Sequence, residues 1–127
     1  MVGGLTLEVY LGAAADPDAT VDFGSSELYT KEELEAAALQ VKCKFASFAG
    51  CELHSLRYAG DQCNSEENIA WANKLDEGKN FIQIVEFLTD FHTSESGAWE
   101  PNQEYTDYQW WLARTEAGGW QLLSWGY

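Results

Sequence analysis

The C-terminal third of the chain carries the pattern that most restricts the fold. Tyr105 to Arg114 and Trp120 to Tyr127 flank Ala117-Gly118-Gly119, a spacing that predicts a β-hairpin. Pairing across that turn sets Trp110 opposite Trp125, Tyr108 opposite Tyr127 and Leu112 opposite Leu123, with Trp111, Ala113, Trp120 and Leu122 on the reverse face. A sheet face that meets water alternates to polar residues. This hairpin is apolar on both sides, so both sides must be covered.

The cover is sought upstream. Thr30 and Glu33 have the Thr-x-x-Glu spacing of a capping box, and Leu34, Ala37, Ala38, Val41, Phe45 and Phe48 follow at helical intervals until Gly50 ends the run. Ala36, Leu39, Cys43 and Ala46 form a second, weaker apolar face of that helix, for which Leu5 to Leu11 or a partner chain is the expected cover. Cys51 to Tyr58 reads as a strand whose apolar parity changes between Leu53 and Leu56, so a bulge is expected near His54-Ser55. Ser65 can cap a short helix reaching Leu75. Asn80 to His92 reads as a long strand with Phe81, Val85, Phe87 and Phe91 on one face and Ile82, Ile84 and Leu88 on the other. The order of elements predicts one α+β domain, a curved antiparallel sheet wrapped around its first, long helix, with a second short helix.

The 127 residues are the size of a single domain, and 46% hydrophobic residues can fill its core. Residues 1–21 read as an N-terminal extension or linker and 22–127 as the domain. Asp16, Asp18, Asp22 and Glu27 echo the spacing of a calcium loop, but Val21 stands where that loop needs glycine, so solvated acids are the better reading. Cys43, Cys51 and Cys63 lack zinc-site doublets and are expected to be free thiols, and no metal or other cofactor is called for. No apolar run is long enough to span a bilayer, and no signal peptide is expected at this N-terminus. The formal charge of -14 repels phosphates and anionic lipid, which argues against a nucleic-acid partner.

Three stretches resemble a known family. The run from Asp22 to Leu34, the segment Gly50-Cys51-Glu52-Leu53 leading to Leu56-Arg57-Tyr58, and the ending Gly119 to Tyr127 are similar to the DUF4829-like bacterial domains, of the NTF2-like, cystatin-like superfamily. The resemblance covers residues 22–127. It implies a long helix in the concavity of a bent sheet, a cavity open at one end, and an extracytoplasmic parent that is secreted or lipid-anchored. Because that fold serves enzymes and binding modules alike, it implies no activity.

Candidate functional residues fall into two groups. Glu86, Asp90 and His92 share one strand face and are the candidate acid-base residues of a small hydrolase, isomerase or dehydratase. Tyr108, Trp110, Trp125 and Tyr127 form an aromatic ladder with Arg114 at its end. That ladder is either core or the wall of a ligand site or homodimer contact. The leading expectation is a noncatalytic binding domain for a small molecule, peptide or protein. The alternatives are the enzyme just described and an acidic inhibitor or immunity-type protein steered to a basic target.

Overall fold

A computed structural model describes residues 14–94 and 99–127. The Thr30 capping box forms as its spacing predicts: the Glu33 N–H donates to the Thr30 hydroxyl at 3.1 Å, and the Thr30 N–H to the Glu33 carboxylate at 2.8 Å. Helix α1, Lys31–Phe45, follows and buries Leu34, Ala37, Ala38, Val41 and Phe45. Phe48 joins the same core just beyond its end, while Gly50 turns the chain at φ 84°, where a side chain would be strained. Of the weaker face, Ala36, Leu39 and Cys43 are exposed and Ala46 is buried. Leu5 to Leu11, its expected cover, lies outside the described residues.

The sheet has five strands in sequential order: β1 Ala14–Asp22, β2 Cys51–Tyr58, β3 Phe81–Thr93, β4 Glu104–Thr115 and β5 Trp120–Gly126. Helix α2, Glu66–Leu75, starts at the Ser65 cap and joins β2 to β3. The α1 side of the sheet, its inner face, holds the main core of Val85, Phe87, Phe91, Trp110 and Leu112. Ile84 and Ala113 point the other way and pack with Ala72 of α2, against which Trp71 and Trp111 also lie. Helices thus lie on opposite sides of the sheet, the inner face fully covered and the outer face in part. Among the described residues no helix is long and apolar enough to cross a membrane.

This architecture corrects the expected one. The sheet is mixed rather than wholly antiparallel, because β1 runs parallel to β2. A parallel neighbour needs a crossover connection, and α1 supplies it. The helix is also not the long rod expected: its 15 residues span about 22 Å, and the sheet lies between two short helices instead of wrapping one long helix. Residues 14–21, within the segment read as an extension, belong to the sheet through β1.

Bulges decide which side chains face inward. The one expected near His54-Ser55 lies between Leu53 and Ser55, and it lets Cys51, Leu53, Leu56 and Tyr58 all reach the core. In the hairpin Trp110 pairs with Trp125, but an irregularity after Trp111 sets Leu112 opposite Leu122 rather than Leu123. Trp120 and Leu122 therefore join the inner core and Leu123 the outer cluster, the reverse of the expected faces. A shift between Phe81 and Gln83 likewise places Phe81 with the outer cluster. The three cysteines are free, Cys43 exposed and Cys51 and Cys63 buried.

The core contains one polar bond that its largest side chain depends on. Trp110 is fully buried, and its indole N–H donates to the Thr89 hydroxyl at 2.8 Å. Replacing Thr89 by valine keeps the shape but leaves that donor without a partner. Thr89→Val is expected to destabilise the fold by about 1–3 kcal/mol, measured by urea unfolding. An unchanged midpoint would show that the bond contributes nothing.

Candidate functional site

The aromatic ladder divides between interior and surface. Trp110 and Tyr108 are buried, with Phe48 stacked on Trp110 at 5.5 Å, so they serve the core. Trp125 is 40% and Tyr127 74% exposed. The Lys44 ammonium sits 4.7 Å from the centre of the Trp125 ring, so one face of that indole already has a cation, and Tyr127 leans on Tyr108 at 5.4 Å.

Arg114 is a structural tie rather than an open anion site. Its guanidinium donates to Glu33 and to Gln83, each at 2.7 Å, and lies 4.5 Å from the Trp120 ring centre and 5.5 Å from that of Tyr29. The Trp120 indole N–H donates to the Glu33 carbonyl at 3.1 Å, so the first turn of α1 is clamped onto the hairpin end. The Thr30 N–H first, and then Arg114, hold the Glu33 carboxyl below its ordinary range.

The acid-base candidates occupy the outer face but do not converge. Asp90 accepts from the Ser55 hydroxyl at 3.0 Å and the Asp107 N–H at 2.9 Å, and Arg57 lies 3.5 Å away. Arg57 also pairs with Asp107, whose φ of 57° marks the bulge where β4 leaves register with β3. His92 pairs with Glu104 and stacks on His54 at 6.4 Å, and His54 in turn meets Glu52 at 3.2 Å. Sequence spacing gave no hint of these partners, because the 38 positions between the two histidines are closed only by β2–β3 pairing. Glu86 lies four residues from Asp90 and six from His92, roughly 13 and 20 Å along the strand, too far to act on one atom. Among the described residues no cluster of histidine, cysteine and acid side chains is arranged to hold a metal.

A different surface on that face is concave and aromatic. Trp71 of α2 and Trp111 of β4 meet edge to face, 5.6 Å apart at 68°, and with Asn68 they line a groove of about 310 Å³. A second recess of about 160 Å³ continues past the same two tryptophans to Gln109, Ser124 and Tyr127. The Trp111 indole N–H donates to the Gln109 side-chain carbonyl at 3.2 Å. Glu86 stands directly across the ladder from Trp111, and burial pushes its carboxyl above the usual range. Sequence pattern alone marks neither Trp71 nor Trp111 as a site residue. Trp111 reads as one side of a two-sided hairpin, and only the docking of α2 brings Trp71 to it.

No family model, no curated protein and no solved structure matches this chain.

The two perturbed glutamates make opposite predictions. Glu33, with a depressed folded pKa, stabilises the fold above the unfolded value near 4.3, and that contribution is lost as pH falls through the folded pKa. Glu86, with a raised one, favours folding below the unfolded value, and that advantage is lost as pH rises through the folded pKa. Glu33→Gln, which preserves the capping box, should lower the thermal midpoint at pH 7 and converge with wild type once acid has taken the pH below the folded pKa. Glu86→Gln should raise the midpoint at pH 7 and likewise converge in acid.

Proposed function

We propose that this domain is a noncatalytic binding module whose contact surface is the outer face of the sheet, along the groove of Trp71 and Trp111. The observation that carries the reading is the position of these two indoles. They are half-buried and line a recess large enough for a small ligand, with the amides of Asn68 and Gln109 at its margins. Pockets that bind small molecules combine apolar walls with a few placed polar groups in this way.

The inner ladder supports the same assignment by being otherwise engaged. Tyr108 and Trp110 pack against Phe48, and Arg114 is held by Glu33 and Gln83, so this part of the expected ligand wall serves stability. The polar cluster reads as a framework of ion pairs, since Asp90 and His92 each have a close protein partner.

The test is a fragment screen of small neutral, cationic and anionic organic molecules, followed through the indole N–H signals of the six tryptophans. Binding fragments are expected to shift Trp71 and Trp111 and leave Trp110 in place, and Trp71→Ala should weaken them about ten-fold, or 1.4 kcal/mol. Shifts gathered around Asp90 and His92 instead, with turnover of a fragment, would replace this reading by the catalytic one.

A further inference from the structure

The groove combines three features that together select a class of ligand. Its two indoles stand nearly perpendicular, so they form a corner that presents one ring's face beside the other ring's edge. The π-face of tryptophan attracts cations more strongly than that of any other side chain. Beside the corner, Glu86 faces the same side of the sheet in register with Trp111, which puts their β-carbons about 5 Å apart. Its carboxylate is half-buried, still reaches solvent, and has no hydrogen-bond or ion-pair partner among the described residues. The polar side chains that line the two recesses, Asn68, Gln109, Ser124 and Tyr127, carry no formal charge.

Charge excludes one ligand class and favours another. A protein at -14 repels anions approaching from solution and concentrates cations. An anion seated against Trp111 would stand near the Glu86 carboxylate across the ladder and be repelled, whereas a cation there would be attracted. A primary ammonium keeps tightly held water that the indoles cannot replace. A methylated ammonium is weakly hydrated and carries an apolar shell that fits against indole, which is the recognised use of aromatic corners.

We propose that the corner between Trp71 and Trp111, with Glu86 beside it, binds a small quaternary ammonium cation free in solution. This rests on the outer-face binding reading and names its ligand class. The indoles supply the contact area and the cation-π attraction, and Glu86 supplies the countercharge.

Choline chloride and 3,3-dimethylbutan-1-ol, its neutral isostere, separate the cation from its shape. Titrated into the intact chain and followed by the Trp71 and Trp111 indole signals, choline should saturate and bind roughly ten-fold more tightly than the alcohol. Glu86→Gln should weaken choline several-fold and leave the alcohol unchanged. Trp71→Phe should weaken both, with circular dichroism checking the fold. Vesicles of phosphatidylcholine, which carry the same ammonium beside a phosphate, should not sediment the protein.

Equal affinity for choline and the alcohol, or a Glu86→Gln protein that binds choline as wild type does, overturns the cation assignment while the groove survives as an apolar site. If neither compound moves Trp71 or Trp111 and the fragment screen also leaves them unmoved, both this assignment and the groove reading fall. Vesicle binding by a protein that ignores free choline overturns the small-molecule source.

Discussion

Adjacent tryptophans on one strand impose the main constraint on this molecule. Trp110 and Trp111 point to opposite sides of β4, so no single layer can bury both. α1 covers the first completely, with Phe48 stacked upon it. α2 is only 10 residues long and covers the second in part, through Ala72 and Trp71. The inner face is therefore a finished core and the outer face an incomplete one. The aromatic groove lies where the short helix meets the outer face through Asn68 and Trp71 and leaves Trp111 partly uncovered.

Strand irregularities keep this two-sided arrangement consistent along the sheet. Without the bulge after Leu53, either Cys51 and Leu53 or Leu56 and Tyr58 would face water, and burying an apolar side chain contributes about 1.5–3 kcal/mol. The irregularity between Thr89 and Phe91 does a different job. It brings Tyr105 back to the inner face, where it stacks on Phe91 at 5.0 Å, and turns Asp107 out to meet Asp90 and Arg57. The ion-pair framework on the outer face is thus a product of the same backbone adjustments that fill the inner one.

What the sequence makes legible follows from the range of each interaction. Both helix caps act within four residues, and the Leu53 bulge shows as a change of parity within one strand, so these can be read locally. The pairing of Trp110 with Trp125 can be read because a glycine turn fixes the register. The slip that follows it is hidden, since Leu122 and Leu123 are equally apolar and either could face inward. β1 is hidden because Ala14–Asp22 holds a proline and three aspartates and has no strand-like alternation. The Arg114–Glu33 tie and the Trp71–Trp111 corner join residues 81 and 40 positions apart, and no local pattern encodes either.

Positive charge is scarce in this chain and much of it is committed to the fold. The chain has seven basic residues against 21 acidic ones. Lys42, Lys44 and Lys74 occupy the last turns of the two helices, where they complement the helix dipoles, and the acids Glu32, Glu33, Glu66 and Glu67 occupy the first turns. Arg57 is engaged by Asp90 and Asp107, and Arg114 by Glu33. Both arginines are therefore committed to holding sheet and helix together, and Lys44 is already seated against Trp125. Glu86 stands across the ladder from the half-buried Trp111 with no such partner, so a cation bound there would come from outside the described fold.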